Sequence, residues 1–157
     1  MTNTRPPAVA GAFYPGNPRI LAATVDQFLS DATAVPQTQP KALIVPHAGY
    51  VYSGATAGQA YALLAPWHEQ IRRVVLLGPT HRVAVDGIAV PQTNAFATPL
   101  GDIPLDTAAI AGLADLPHIV ASDRAHALEH SLEVHLPFLQ RLFDNFKLVP
   151  LAVGHAA

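Results

Sequence analysis

The sequence predicts an α/β layered fold with a largely parallel sheet, on three observations. Lys41 to Val45 and Arg72 to Leu77 are short continuous apolar runs, the pattern of strands buried on both faces, and Phe146 to Val153 is a further apolar strand. Segments with helical apolar spacing alternate with them, as parallel strands joined by crossover helices require. Prolines and glycines fall between these segments as punctuation and not in tracts, and no internal repeat is present.

Each element has its own justification. Asn17-Pro18 supplies a cap and a first-turn proline, and Leu21, Val25, Phe28 and Leu29 then recur on one helical face, predicting a helix over 18–32. Thr33 to Pro40, with two prolines and polar residues, reads as a connector. The strand Lys41 to Val45 is closed by Pro46. Ser53-Gly54 opens a helix to about Leu64, whose Ala55, Ala57, Gly58 and Ala60 permit close packing. The strand Arg72 to Leu77 is stopped by Gly78-Pro79, and a strand follows at Asp86 to Val90. Pro91 to Pro104 is punctuated by Pro and Gly, and Asp106 caps a short helix after it. A helix over 131–143 carries Pro137 as a kink or early-turn residue, and Phe146 to Val153 forms the last strand.

The 157 residues make one domain, able to bury roughly 70% of the unfolded surface. Only 13% of them are charged, against roughly 25% in ordinary globular chains, and mean hydropathy is +0.26. Two readings account for so thin a polar surface: the 28 alanines, small and weakly hydrophobic, or a covering surface that these residues do not supply. Nine basic and eleven acidic residues without a Lys/Arg cluster leave no footprint for nucleic acid. The absence of cysteine excludes disulfides, thiolate metal sites and thiol catalysis within these residues. No apolar run approaches the roughly 18 residues of a membrane span, and Met1 to Gly16 has no signal-peptide h-region, so a cytoplasmic protein is expected.

Open α/β sheets bind ligands at the carboxyl ends of their strands. His47, in Val45-Pro46-His47-Ala48-Gly49-Tyr50, and His81, in Gly78-Pro79-Thr80-His81, both follow predicted strands at that end. Each preceding proline ends its strand and leaves the imidazole at the sheet rim. Two such rings form half of a metal's ligand set, since neutral imidazole suits Fe, Cu or Zn; alone, each would read as a solvated loop residue.

A third constellation runs from His126 through Glu129, His130 and Glu133 to His135. On a helix the first four would share one face. His126 to His130 formally matches the H-x-x-E-H pattern of inverzincin metalloproteases, but that chemistry needs a downstream acidic ligand and only 27 residues follow His130. The competing reading places Glu133 near the start of a helix capped by Ser131, which explains the carboxylate but not three clustered histidines. His68, His118 and His155 have no partners by spacing and are expected at the surface.

Five motifs stand together in order: Val9-Ala10-Gly11-Ala12-Phe13-Tyr14-Pro15, Pro46 to Gly54, Leu77-Gly78-Pro79-Thr80-His81, Thr98-Pro99-Leu100-Gly101, and Glu129 to Phe138. In this order and spacing the chain resembles the Memo family, whose bacterial and archaeal members are called AmmeMemoRadiSam system protein B. The resemblance covers essentially the whole of 1–157. It implies a three-layer αβα fold with a largely parallel or mixed sheet, similar to the class III extradiol dioxygenases of the LigB type, which hold non-haem iron at a strand-end pocket. It also implies that His47 and His81 are metal ligands, with Fe(II) or Cu favoured over Zn. His130 becomes the acid/base residue or a support behind the ligands, with Glu129 and Glu133 as its own supports.

The departure from the family is length. Memo proteins resemble a chain of well over 200 residues whose second half completes the metal site, so this sequence is expected to be the N-terminal portion of a longer domain, with Phe146 to Val153 as an exposed apolar edge. Two classes of function follow from the resemblance. One is a metal-dependent oxidoreductase acting on a small molecule, with dioxygenase-like chemistry. The other is a non-catalytic component acting with a radical-SAM protein and a third system component, the eukaryotic relatives being linked to phosphotyrosine-peptide binding. Within this half, no Gly-rich phosphate loop or Arg cluster supports the second class.

Overall fold

The computed structural model describes residues 3–155. Along the chain the elements are β1 (Thr4–Arg5), α1 (Pro18–Ser30), α2 (Tyr50–Ala62), β2 (Arg73–Pro79), β3 (Ile88–Val90), β4 (Ala95–Thr98), β5 (Gly101–Pro104), α3 (Thr107–Ala111), β6 (Ile119–Ala121), α4 (Asp123–Ala127), α5 (Leu136–Leu142) and β7 (Lys147–Val153). Single 3₁₀ turns stand at Ala65–Trp67 and Glu133–His135.

The main sheet has the order β2-β7-β3-β6. β2 and β7 are parallel over seven residues, from Arg73 opposite Lys147 to Pro79 opposite Val153. β3 is parallel to β6 and antiparallel to β7, so the sheet is mixed. A second sheet, β1-β4-β5, is built on the β4–β5 hairpin, where Gly101 takes a φ of +119° that a side chain would strain. Helices α1, α2 and α5 pack on one another, while α3 packs on β7 and α4 on β3, giving a three-layer α/β arrangement.

Local chemistry explains the helical layer. Asn17 Oδ1 accepts from the Arg19 and Ile20 amides and starts α1, which buries Leu21 and Val25 as their spacing predicts. The small residues expected in α2 serve close packing: a side chain at Gly54 or Gly58 would overlap Phe28 of α1. Tyr61 and Phe138 stack with centroids 5.2 Å apart, joining α2 to α5 inside a core that also holds Tyr50, Leu139 and Leu148.

Several expectations need correction. Lys41 to Val45 joins no β-ladder, and Ile44 is fully exposed; an apolar run becomes a strand only when another edge takes its amides and carbonyls. β2 is not buried on both faces, because it lies at the sheet edge with Val75 and Leu77 more than half exposed. β7, expected as an exposed edge, is central, and Leu148 to Ala152 are all buried. A cavity of about 600 Å³ separates residues 39–45 from β2 and is also lined by Tyr61, His135 and Phe143. The segment Pro91 to Pro104 contains a hairpin, and the helix expected over 131–143 is a 3₁₀ turn followed by α5, with Pro137 in its first turn. Ser131 does not cap it; the residue at that position is Leu132, without a side-chain bond. Among the described residues no helix is long and apolar enough to cross a membrane.

Candidate metal centre

Three separate segments deliver the site. His81 follows β2 directly, at its carboxyl end. His47 lies in the loop before α2, fixed because the Tyr50 amide donates to Phe13 O (2.7 Å) and Ser53 Oγ donates to Ala48 O (3.0 Å). His130 lies in the turn between α4 and the 3₁₀ turn, and Ser131 Oγ ties that turn to β2 by donating to Pro79 O (2.8 Å). Gly78 permits the approach, since a Cβ there would come within 2.8 Å of Ser131 Oγ.

His47, His81 and His130 each offer a ring nitrogen, and these three atoms lie within 4.8 Å of one another. Ring centroids are 5.4 Å apart for His47 and His81, 6.0 Å for His47 and His130, and 4.4 Å for His81 and His130. Phe13 backs the cluster with its centroid 4.6 Å from His130. The His81 side chain is 38% exposed and that of His130 15%, so the cluster is open to solvent on one side.

Glu129, 2% exposed, organises this corner. Its Oε1 accepts from His81 Nδ1 (2.8 Å), from the His130 amide (2.9 Å) and from the Ser131 amide (3.0 Å), while Oε2 accepts from the His81 amide. Burial pushes its pKa up, but the hydrogen bonds from His81, Ser131 and His130 outweigh that and hold it at about 2. His47 is pushed below its ordinary pKa by burial and by His81, and His130 by burial against the opposing pull of Glu129. Both rings are thus kept neutral near pH 7, the form that donates a lone pair. His130 Nδ1 is buried without a hydrogen-bond partner, 3.4 Å from Glu129 Oε1 but outside bonding geometry.

The remaining histidines and Glu133 stand apart. His126 is 2% exposed, and its Nε2 bonds Ala89 O (3.0 Å); burial pushes its pKa down to about 4. It does not join the cluster, so the H-x-x-E-H pairing has no counterpart in space, and α4 ends at Ala127 before the four residues can share a helical face. His135 is buried and likewise held down at about 4 by burial, then by His47. Glu133 gives both oxygens to the N-terminal segment: Arg5 Nη1 (2.7 Å), the Ala8 and Val9 amides (2.8 and 3.0 Å) and Tyr14 Oη (2.6 Å). His118 and His155 are exposed, and His68 is half-buried with its Nδ1 2.8 Å from Ala65 O.

Sequence reasoning gave Arg5 and Phe13 no function. Arg5 is 5% exposed and donates to His126 O and Glu129 O (both 2.7 Å) as well as to Glu133, clamping the turn that carries His130. The signal available was a lone Arg beside an apolar motif, which carries no spacing information.

Comparison with known proteins finds related sequences over nearly the whole chain. The profile of the family described as Memo-like protein matches residues 5–157. A MEMO1 family protein of Archaeoglobus fulgidus is 42% identical over 151 residues, covering 96% of this chain and 54% of that protein. Those of Ignicoccus hospitalis and Aquifex aeolicus are each 41% identical, with 95% of this chain matched to 56% and 54% of theirs. The chain spans about half the length of these relatives. With the profile matched almost from end to end, this chain belongs to the Memo-like protein family.

Proposed function

We propose that the chain binds one transition-metal ion on His47, His81 and His130. The observation that carries this reading is the convergence of three imidazoles from three segments, with ligand atoms within 4.8 Å of one another. An ion bound at about 2.1 Å from each nitrogen would hold them about 3.4 Å apart, so the rings need to close by about 1.4 Å at most. His130 Nδ1 is buried without a hydrogen-bond partner, so this ring has a nitrogen that the protein itself does not satisfy. An all-imidazole set suits Fe(II), Cu or Zn; we favour Fe(II) or Cu, which would add one-electron redox chemistry to Lewis acidity and leave coordination positions open. The three residues would hold the ion, burial keeps the His47 and His130 rings neutral, and the exposed side of His81 gives a small substrate access.

Calorimetric titration with Fe(II) under anaerobic conditions, and with Cu(II) and Zn(II), tests this. One ion per chain is expected, with His47→Ala, His81→Ala and His130→Ala each losing at least tenfold in affinity. Unchanged affinity in both His47→Ala and His81→Ala would refute it. Full affinity in His130→Ala alone would return His130 to proton transfer beside a two-histidine site.

A further inference from the structure

We infer that Glu129 is the positioning residue of His81: its carboxylate selects the ring tautomer that carries hydrogen on Nδ1 and turns Nε2 toward His47 and His130. This rests on the metal-site reading above but concerns a residue outside the ligand set.

The geometry is specific to His81. An ionised carboxylate only accepts, so the 2.8 Å contact from His81 Nδ1 to Oε1 requires hydrogen on Nδ1, and of the two neutral tautomers it selects the one whose lone pair is on Nε2. Oε2 meanwhile accepts from the His81 backbone amide, so one carboxylate grips both the ring and the peptide of the same residue. Rotation of the ring about χ2 would break the first contact, and displacement of the loop would break the second. His130 is held differently: Glu129 takes its amide at 2.9 Å, while its ring is oriented by Phe13 and His81, at centroid distances of 4.6 and 4.4 Å. The carboxylate is itself immobile, because the Ser131 amide also donates to it and its own carbonyl is taken by Arg5 Nη2. A 38% exposed histidine at the end of an edge strand would otherwise sample both tautomers and several rotamers. An orienting carboxylate behind a ligating imidazole also raises the ring's basicity toward a metal.

The test is nitrogen-15 NMR of the imidazoles in the metal-free protein, paired with Zn(II) titration. In the wild type His81 is expected as a single tautomer with hydrogen on Nδ1. In Glu129→Gln the amide cannot accept at every contact the carboxylate serves, so His81 should become a mixture of tautomers, and Zn(II) affinity should fall 10- to 100-fold with all three histidines present. Glu129→Asp, which keeps the charge but withdraws it by one methylene, should show the same mixture if Glu129→Gln proves too unstable to study. A wild-type His81 with hydrogen on Nε2, or an unchanged tautomer in both variants, would overturn the inference. A wild type that holds the Nδ1–H tautomer through Glu129 yet binds no metal would refute the metal reading and leave the positioning function standing.

Discussion

Glu129 and Glu133 stand four residues apart, are 2% and 1% exposed, and each accepts four hydrogen bonds, yet they do different things. Glu133 faces a guanidinium, two amides and a phenol, all from residues 5–14. The two amides and the phenol are spent on it, and the other guanidinium nitrogens of Arg5 go to His126 O and Glu129 O, so these donors are committed within the protein. Glu129 faces three amides and one imidazole, and that imidazole has a second nitrogen. A buried carboxylate is thus a clasp or an organiser according to whether its partner has an unused functional atom. The Tyr14 phenol bears this out for the clasp: burial and the hydrogen bond to Glu133 raise its pKa far above the ordinary value, fixing it as a permanent donor.

The largest effect should come from breaking the clasp. Glu133→Gln leaves the 5% exposed Arg5 with backbone acceptors but no anion, and removing one partner of a buried pair costs about 3–5 kcal/mol. Denaturant unfolding measures that loss. The folded fraction should keep His81 as a single Nδ1–H tautomer, since no atom of Glu133 bonds His81; a tautomer mixture there would erase the distinction between the two carboxylates.

Acid separates the two regions next. His126 and His135, held near pKa 4 against about 6.5 in the unfolded chain, are protonated more readily when unfolded. The unfolded state therefore binds the extra protons, and stability present above pH 6.5 is lost as pH falls toward 4, by on the order of 3 kcal/mol per group. Glu129, at about 2 against 4.5, adds a further loss of the same sign between pH 4.5 and 2. Unfolding free energies across pH 7 to 3 should therefore decline in two stages, and His126→Gln should flatten the first. A profile flat from pH 6.5 to 4 would contradict the burial of both rings.

A smaller loss is expected from Tyr14→Phe, which removes one of the four donors to Glu133 and no group near His81. A hydrogen bond to a charged acceptor contributes about 1.5–3 kcal/mol, with three donors remaining to limit the damage. Metal affinity should be unchanged within twofold, which titration checks.

How much of this was legible in the sequence differs by kind of information. The strand-end place of His81 and the Asn17 and Asp106 caps were readable because proline, glycine and capping side chains act through the adjacent backbone. The α/β class followed from alternating apolar periods. The edge position of β2 and the unpaired state of Lys41 to Val45 were not, because apolarity records what a segment can bury and says nothing of which neighbour is there to cover it. The β4–β5 hairpin was hidden by short strands in a stretch punctuated by Pro and Gly. In the site, clustering singled out Glu129 and Glu133 together, but their division depends on contacts with residues 48 and 128 positions away. No local period encodes those separations.

Ser131→Ala gives the smallest effect and the finest discrimination. Ser131 touches the site twice: its amide donates to Glu129 Oε1 at 3.0 Å, and its hydroxyl donates to Pro79 O at 2.8 Å. Alanine keeps the first contact and removes the second, leaving the carbonyl at the end of β2 without that donor, at a cost of about 0.5–1.5 kcal/mol. If Glu129 alone sets His81, the tautomer and the Zn(II) affinity should survive while the melting temperature drops slightly. If the seam between β2 and the turn sets it, Ser131→Ala should reproduce the ligand loss of Glu129→Gln at a fraction of its stability cost. Measuring both variants side by side therefore asks whether the organiser is one carboxylate or the whole turn that Arg5 and Ser131 hold against the strand.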